Sequence, residues 1–293
     1  MVPLSEANTE TNVLSSPPAG IPAELQGIRD LLCCPYCSAG IESRESVLAC
    51  TGCNAVYPVE GGVARLIRRG TAETWANQQA AATSAEYQAQ YEDAGEAKDY
   101  NEAYRDRFFK RQSTRREFNL LQRLLGSQER CGTLLDLPCG GGRLSPQLEP
   151  YADLMIEADV GIGQVNYARS KPRERTPVWM TASAFHIPFR DDAVDATVCI
   201  RLCHHLPTPE ERERLISELL RVSRRFVVMT FFDYHSGKNR IRRANPFNKK
   251  PPKLTMTVDQ VRDQTRKSGA ELIACPSLFT VFSGHRYGLM VKQ

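Results

Sequence analysis

The sequence TLLDLPCGGGR spans residues 133–143 and joins an apolar, β-prone run to a glycine-rich turn. An amphipathic stretch follows, so the predicted order is strand, turn and helix. Glycine accepts positive φ angles and lets the backbone approach a ligand closely at the carboxyl end of a strand. The turn could hold a dinucleotide, a phosphate or an adenosyl group. It lacks the full G-x-G-x-x-G spacing and the P-loop lysine, which weakens the NAD and ATP interpretations.

A second acidic residue, Asp159, ends the next apolar run, 23 positions after Asp136. This spacing places a carboxylate where it can accept hydrogen bonds from both hydroxyls of a ribose. A helix-capping role for Asp159 is the alternative. Together the turn and the carboxylate indicate an adenosine-containing cofactor.

From Thr133 onward, short β-branched runs alternate with amphipathic stretches, as in strand–helix–strand units of a parallel sheet. Capping boxes at Thr208–Glu211 and Thr257–Gln260 mark two helix starts. The predicted fold class is α/β, with a doubly wound, seven-stranded Rossmann-like sheet. Its predicted strands are Thr133–Leu137, Leu154–Ala158, Val178–Thr181, Ala196–Ile200, Phe226–Phe232, Leu272–Cys275 and Tyr287–Val291.

Composition divides the chain into four predicted parts. Residues 1–26 are rich in Ser, Pro and Thr without a hydrophobic period, which predicts a disordered tail. Residues 27–70 carry five of the ten cysteines and form a compact module. Residues 71–130 are rich in Ala, Gln, Glu and Arg and are predicted to form a helical linker or cap. Residues 131–293 hold the α/β domain.

Two Cys-x-x-Cys pairs, Cys34–Cys37 and Cys50–Cys53, define the compact module. Two residues between thiolates let one turn aim both sulfurs at one ion, so two such turns complete a tetrahedral site that suits zinc. Because protein ligands fill all four positions, the predicted role is structural. A redox Cys-x-x-Cys is the rival interpretation, and it needs one pair beside a βαβ unit.

Bulk properties narrow the class of protein. The net charge is +4 and the sequence pI is near 8.5, which is too mildly basic to imply nucleic acid by itself. No apolar run is long enough to span a bilayer, and the N-terminus lacks the pattern of a signal peptide. We therefore expect a soluble protein of the cytoplasm with reduced cysteines.

The cysteine module, from Leu31 to Gly62, resembles the zinc ribbon of the small methyltransferase-activator family. Members of that family assist methyltransferases as separate chains or are fused to them. The resemblance implies a possible protein partner for the ribbon.

The chain from about Gly132 to Gln293 resembles class I S-adenosylmethionine-dependent methyltransferases. Four segments carry the resemblance in the right order: the glycine-rich turn, the strand ending at Asp159, Ile187–Asp195 and Arg201–Leu206. The resemblance implies S-adenosylmethionine as cofactor. The cofactor-binding positions that it implies are Asp136, Pro138, Gly140, Gly142, Asp159, Ser183, Ala184 and Arg201.

Two positions depart from the family pattern. Pro138 stands where the first motif usually begins with glycine, and its fixed φ angle can still suit the turn. Ser183 stands where the family has an aspartate that contacts adenine, and a hydroxyl bonds an amine more weakly than a carboxylate does. We expect cofactor binding to survive both changes.

His204 and His205 are the candidate catalytic residues, because they follow the fourth predicted strand at the edge where the methyl group should lie. Either could remove a proton from an acceptor hydroxyl, and the alternative for one of them is to hold the loop together. Cys203 is more simply interpreted as a buried structural thiol than as a nucleophile.

Two basic groups could bind an anionic acceptor through the phosphates of RNA, a lipid or a phosphorylated sugar, and the alternative is that they are solvated loop and helix faces. The first is Lys238, Arg240, Arg242, Arg243, Lys249, Lys250 and Lys253, within residues 238–253, and the second is Arg105, Arg107, Lys110, Arg111, Arg115 and Arg116. Tyrosine pairs at Tyr87–Tyr91 and Tyr100–Tyr104 could close over the cofactor or simply pack.

The leading hypothesis is methyl transfer to a small or medium-sized acceptor, for which an anionic molecule is one candidate. An RNA methyltransferase is the first alternative, because a zinc ribbon followed by a methyltransferase resembles the bacterial ribosomal-RNA guanine methyltransferases. A non-catalytic adaptor on a vestigial methyltransferase fold is the second.

Overall fold

A computed structural model describes residues 22–67, 108–245, 254–279 and 283–293. The first 21 residues of the predicted tail, most of the predicted linker and both tyrosine pairs lie outside the described residues. The predicted boundary of the tail at residue 26 differs from the structure, because Ala23–Gly27 forms helix α1. Leu25 in that helix is buried in the core, so the folded part includes these residues.

The cysteine module is a small antiparallel unit. After α1 and a 3₁₀ turn, the chain forms two hairpins. Positive φ angles at Glu45, Gly61 and Gly62 make the tight hairpin turns. The strands of the module are β1 (Ile41–Arg44), β2 (Val47–Cys50), β3 (Val56–Glu60) and β4 (Val63–Arg65).

All seven predicted strands form in the second part of the chain. Their bounds are β5 (Cys131–Asp136), β6 (Ala152–Asp159), β7 (Val178–Thr181), β8 (Val194–Cys199), β9 (Ser223–Phe232), β10 (Ala270–Ala274) and β11 (His285–Lys292). The helices are α2 (Phe108–Gly126), α3 (Ser145–Leu148), α4 (Ile162–Arg169), α5 (Pro209–Val222), α6 (Gly237–Ala244) and α7 (Val258–Lys267). Thr208 and Thr257 cap α5 and α7 with the predicted capping boxes.

The strands make one sheet in the order β1-β2-β3-β4-β7-β6-β5-β8-β9-β11-β10. Strands β7, β6, β5, β8 and β9 are parallel, whereas β11 runs antiparallel between β9 and β10. The predicted α/β, Rossmann-like fold is confirmed. The sequence predicted seven strands in the sheet, but the described sheet has eleven, because β4 pairs with β7 in parallel and adds the cysteine module to it.

Apolar side chains fill both faces of the sheet. One core cluster joins Leu32 and Leu66 of the cysteine module to Leu135, Ile156 and other residues of the parallel strands. The other cluster packs Leu120, Leu121, Leu124 and Leu125 of α2 against the opposite face. The described end of the predicted linker, α2, is therefore a core helix of the sheet. Among the described helices, none has the length and apolarity needed to cross a membrane.

Candidate functional site

The glycine-rich turn follows the carboxyl end of β5. Gly140 and Gly142 have φ angles of +52° and +70°, as the glycines of this turn were expected to. The turn is held to both neighbouring strands, since the amide of Leu137 donates to Val198 and that of Cys139 donates to Ala158. The Leu137–Pro138 peptide is cis. This turn leaves backbone groups at the edge of the sheet for a ligand.

Asp159, at the end of β6, is tied to the turn. Its carboxylate accepts hydrogen bonds from the amides of Gly140, at 3.0 Å, and Gly161, at 2.9 Å. Burial raises the pKa of Asp159 to about 6, although hydrogen bonds from the amides of Gly161, Gly140 and Val160 oppose the shift. The N-cap residue of α4 is Gly161, so the bond from its amide also ties Asp159 to the start of that helix. Each carboxylate oxygen keeps a lone pair for a ribose hydroxyl.

Asp136 ends β5 beneath the same turn and is completely buried. Neither of its carboxylate oxygens has a hydrogen-bond partner among the described residues. Burial raises the pKa of Asp136, and the nearby carboxylates of Glu157 and Asp159 raise it further. A buried carboxyl group without a partner costs free energy, which a ligand donor can offset. A cofactor that carries a hydrogen-bond donor could therefore supply the missing partner of this carboxyl group.

Two arginines lie beside the turn, and both form ion pairs with the same buried carboxylate. Arg143 follows Gly142, and Arg201 follows β8 with a φ angle of +68°. Glu117 of α2 contacts the guanidinium of Arg143 at 2.7 Å and that of Arg201 at 3.2 Å. The hydroxyl of Tyr287 donates to Glu117 at 2.7 Å. The two guanidiniums beside the turn are the kind of group that binds a carboxylate ligand.

Glu117 and Tyr287 are site residues that the sequence did not reveal. Glu117 lies in α2 and Tyr287 in β11, 170 positions apart. Burial alone would raise the pKa of Glu117, but Arg143, Arg201 and Tyr287 together lower it. The sequence signal for Glu117 is that it is the single acidic residue of its helix.

Ser183 and Ala184 follow β7, on the side of the sheet next to the cysteine module. The hydroxyl of Ser183 accepts from the amide of Phe185 at 3.3 Å, and Ala184 is buried. The segment after them is held by the module, because the amide of Cys33 donates to Pro188 and that of Arg190 donates to Leu31. This wall of the site therefore rests on the cysteine module.

His204 and His205 form a 3₁₀ turn after β8, at the predicted edge of the sheet. The ring of His204 lies 4.3 Å from that of His205 and 4.2 Å from that of Phe232. A third histidine, His285, packs edge-on against Phe232 at 4.4 Å and is the cross-strand partner of that residue. Sequence reasoning missed His285, because only the β9–β11 pairing brings it here.

Cys203 is buried beside this histidine group. Its thiol lies 3.7 Å from the sulfur of Met256, and burial raises its pKa to about 12. A thiol held in the protonated form is a poor nucleophile at neutral pH. These features favour the structural interpretation of Cys203.

The four predicted metal ligands converge on one point. The ligand atoms of Cys34, Cys37, Cys50 and Cys53 all lie within 4.8 Å of one another. Cys34 and Cys53 are 3.6 Å apart at sulfur, and Cys37 and Cys50 are 3.3 Å apart, too far for disulfides. Sulfurs around a tetrahedral zinc at about 2.3 Å would be about 3.8 Å apart. The arrangement is compatible with zinc.

The two knuckles repeat one backbone pattern. The amide of Cys34 donates to Ala39, and the amide of Cys50 donates to Ala55, each five residues on. The residue after each pair, Ser38 or Asn54, has a positive φ angle. The amides of Gly52 and Cys53 also donate to the Cys50 sulfur, at 3.3 and 3.4 Å. Such bonds stabilise a thiolate, as a metal ligand requires.

Helix α6 follows the carboxyl end of β9 and carries the described part of the first basic group. Lys238, Arg240 and Arg243 are exposed, and Arg242 is half-buried. Lys249, Lys250 and Lys253 lie outside the described residues. In the second group, the structure describes the side chains of Arg115 and Arg116, both exposed on α2, and not those of Arg105, Arg107, Lys110 and Arg111.

A known protein family matches the part of the chain that forms this edge of the sheet. The family described as "Methyltransferase domain" matches residues 135–227, from β5 into β9. The chain contains a methyltransferase domain. The match to the methyltransferase domain includes all the predicted cofactor-side residues and both candidate histidines, but neither the cysteine module nor His285.

Relatives of the methyltransferase domain are distant. The tRNA (carboxymethyluridine(34)-5-O)-methyltransferase of Arabidopsis thaliana is 32% identical over 89 residues, which span 30% of this chain and 20% of that protein. The magnesium protoporphyrin IX methyltransferase of Synechocystis PCC 6803, solved with bound SAH, superposes with a TM-score of 0.59 at 18% identity, over 72% of this chain and 100% of that chain. PH0226 from Pyrococcus horikoshii OT3 gives 0.52 at 19% identity, over 71% and 99%. The structural neighbours confirm the fold.

Proposed function

We propose that the protein transfers a methyl group from S-adenosylmethionine to an anionic acceptor at the carboxyl edge of the sheet. The observation that carries this proposal is the turn from Asp136 to Gly142, with the Asp159 carboxylate bonded to it. A glycine turn beside a carboxylate is a recurrent way to bind the adenosyl part of a cofactor in parallel sheets. The methyltransferase domain match covers the same residues.

The surrounding residues fit S-adenosylmethionine group by group. Asp159 would accept hydrogen bonds from the ribose hydroxyls, and the backbone near Gly140 and Gly142 would contact the methionine part. Arg143 and Arg201 offer the positive charge that a methionine carboxylate needs. Pro138 shapes the turn, Ser183 and Ala184 would border adenine, and the unpartnered Asp136 suits a donor such as an amino group.

Methyl transfer demands little covalent chemistry from the protein. The cofactor supplies a methyl group on a positively charged sulfur, whose departure as a thioether makes displacement favourable. The acceptor nucleophile must lie in line with the methyl–sulfur bond, so its alignment is the main task of the site. His204 and His205 lie where they could orient an acceptor hydroxyl or take its proton as the new bond to carbon forms.

The cysteine module would hold one structural zinc ion through Cys34, Cys37, Cys50 and Cys53. Since four thiolates fill a tetrahedral shell, no position remains for a substrate. Its support of the Ser183–Ala184 wall makes this ribbon part of the methyltransferase unit, and its exposed side remains a candidate surface for a protein partner. We also propose a cytoplasmic location, because a reducing compartment keeps cysteine thiols from forming disulfides.

The acceptor has two candidate classes. A small molecule bearing a carboxylate or phosphate would be held by one cationic group near the histidines. RNA would be held by several cations along the edge of the site. RNA is favoured by the similarity to an enzyme named for carboxymethyluridine 34 of tRNA, although the match spans only 20% of that protein.

Calorimetric titration of the zinc-loaded protein with S-adenosylhomocysteine tests the proposal. We expect saturable one-to-one binding that weakens at least tenfold in Asp159→Ala. Asp159→Asn is the matched control, because it keeps one acceptor oxygen and should weaken binding less. No binding by a folded protein at millimolar ligand would overturn the enzyme proposal and favour the partner-binding adaptor.

A further inference from the structure

Helix α6 presents a strongly basic surface beside the acceptor edge. It begins five residues after Phe232, the end of β9 that contacts His204. Ser236 caps the helix by accepting from the amide of Asn239, and the buried Asn239 side chain donates to the Asp233 carbonyl at 2.7 Å. The helix is therefore fixed against the end of β9, within the acceptor side of the domain.

Among the described residues, no acidic side chain pairs with the two outermost cations of this surface. The side chains of Lys238 and Arg240 are exposed and make no hydrogen bond or ion pair with the part of the chain that the structure describes. Helix α6 contains no acidic residue. The nearest acid in the chain, Asp233, is buried and already paired with Arg286 at 2.9 Å. Both cations are thus available to an anionic ligand.

An exposed aromatic ring lies on the same surface. Tyr234 is 42% exposed, and the guanidinium of Arg243 stacks on its ring at 3.8 Å from the centroid. Arg243 also donates to the carbonyl of Tyr234 at 2.8 Å, which fixes the stack. The exposed His235 ring packs edge-on against Tyr234 at 5.1 Å. Aromatic and guanidinium planes next to cations are the features that bind unpaired bases and phosphates together.

The arrangement of the cations separates a polyanion from a small anion. Lys238 and Arg240 are two positions apart and leave the helix axis about 160° from each other, since a helix turns once in 3.6 residues. Side chains on opposite flanks do not converge on one phosphate, whereas they can contact successive phosphates of a strand. Arg115 and Arg116 are two further exposed cations, on α2 and next to the Glu117 that contacts both site arginines.

We infer that α6, with Tyr234 and His235, binds single-stranded RNA and brings one of its nucleosides to the histidine edge. Phosphates contact Lys238 and Arg240, and an unpaired base stacks on the Tyr234 ring. The delivery of a nucleoside for methylation rests on the proposed function, but the binding of RNA does not.

Binding of a fluorescent, unstructured oligouridine to the full-length zinc-loaded protein tests this inference at several salt concentrations. Each phosphate contact of a single strand contributes about 0.7 to the slope of log affinity against log salt. The double variant Lys238→Ala/Arg240→Ala should therefore lower the slope by about 1.4 and the affinity by about tenfold or more. Tyr234→Ser should weaken binding severalfold, and Tyr234→Phe should not, because the ring is kept.

The matched control is Arg266→Ala/Lys267→Ala. These residues are exposed at the end of α7, just before β10. The first residue of β10 pairs with Lys292, which lies at the amino ends of the parallel strands, away from the candidate site. Equal losses in the two double variants would overturn the inference, because the effect would then be net charge alone. Absence of RNA binding would also overturn it, as would preference for phosphatidylserine vesicles or inorganic phosphate over the oligonucleotide.

S-adenosylhomocysteine titrations of the same proteins separate the two proposals. The α6 variants should bind S-adenosylhomocysteine as the unmodified protein does. RNA binding without any S-adenosylhomocysteine binding would refute the methyltransferase activity and leave the RNA surface. The reverse result would refute the RNA surface alone.

Discussion

The carboxylate of Asp159 accepts hydrogen bonds from backbone amides at the turn, and it would also accept hydrogen bonds from the ribose hydroxyls. Its raised pKa, about 6, means that folding disfavours the ionised form, so the apoprotein gains stability from this group as the pH falls below 6. Ribose hydroxyls favour the ionised acceptor, so cofactor affinity should move in the opposite direction.

We therefore expect the affinity for S-adenosylhomocysteine to fall about tenfold between pH 7.5 and pH 5, as a group with a pKa near 6 takes up its proton. Calorimetry across this range measures the change. Asp159→Asn should bind more weakly but should lack most of the pH dependence. An identical pH profile in both proteins would assign the titration to another group.

Glu117 is the residue whose loss should cost most at the site. Its side chain is fully buried and forms ion pairs with two arginines that are about one-fifth exposed. Glu117→Ala would leave both guanidiniums without their carboxylate, and we expect the free energy of unfolding to fall by about 3 kcal/mol. Urea denaturation at pH 7 measures this loss.

Tyr287→Phe is the comparison for Glu117→Ala, because it removes only one hydrogen bond to the same carboxylate and should cost about 1 kcal/mol. Because the pKa of Glu117 is lowered, the difference between unmodified and variant protein should shrink as the pH falls below 4. If Glu117→Ala lowers the free energy of unfolding by less than 1 kcal/mol, the two arginines must be hydrated by water in place of the carboxylate.

At the scale of elements, the two glycines of the turn differ in how closely they pack against helix α4. A Cβ atom on Gly142 would lie 3.0 Å from the Cβ and 3.3 Å from the Cα of Ala168, and it would also meet Arg173. A Cβ on Gly140 would meet only the Gln164 side chain, at 3.9 Å. Both residues have positive φ angles, so the two positions share the conformational cost of a side chain and differ in space.

Gly140→Ala should therefore cost about 1 kcal/mol of unfolding free energy, the usual penalty for a left-handed conformation. Gly142→Ala should cost clearly more, because α4 must also move away from the turn. Thermal unfolding of the two variants, side by side, measures the difference. Equal destabilisation would mean that α4 yields without cost, and then only the φ angles require glycine.

Sequence patterns predicted these elements well where the information was local. The ends of β5 and β6, each within one residue of its predicted position, and the caps at Thr208 and Thr257 depend on a few neighbouring residues. Glu117 and His285 could not be predicted, because their places at the site depend on contacts with residues distant in sequence. The pairing of β4 with β7 was missed for the same reason, since a hairpin strand of three residues does not reveal its partner.

At the scale of the whole molecule, the ribbon and the methyltransferase domain share one core. Leu32 and Leu66 of the ribbon belong to the same apolar cluster as Leu135 and Ile156 of the parallel strands. The isolated bridge between Leu32 and Phe189 adds a backbone connection. Zinc in the ribbon would therefore stabilise the entire unit.

We expect one zinc ion per chain by elemental analysis and a single calorimetric unfolding transition for the loaded protein. Removal of the metal by a chelator should lower the melting temperature of that whole transition, because metal binding energy becomes folding energy. Cys50→Ser should reproduce the effect without a chelator. A separate early transition of ribbon size would contradict a shared core.

The same pairing of β4 with β7 has a consequence for solubility. Without the ribbon, the backbone of Val178–Thr181 would form a bare, apolar sheet edge, which is a template for association with other chains. The ribbon moves the outer edge of the sheet to β1, a four-residue strand whose Glu42 and Arg44 side chains are exposed. Short, charged edges resist strand addition. By covering the edge of β7, the ribbon also removes a surface through which copies of the protein could aggregate.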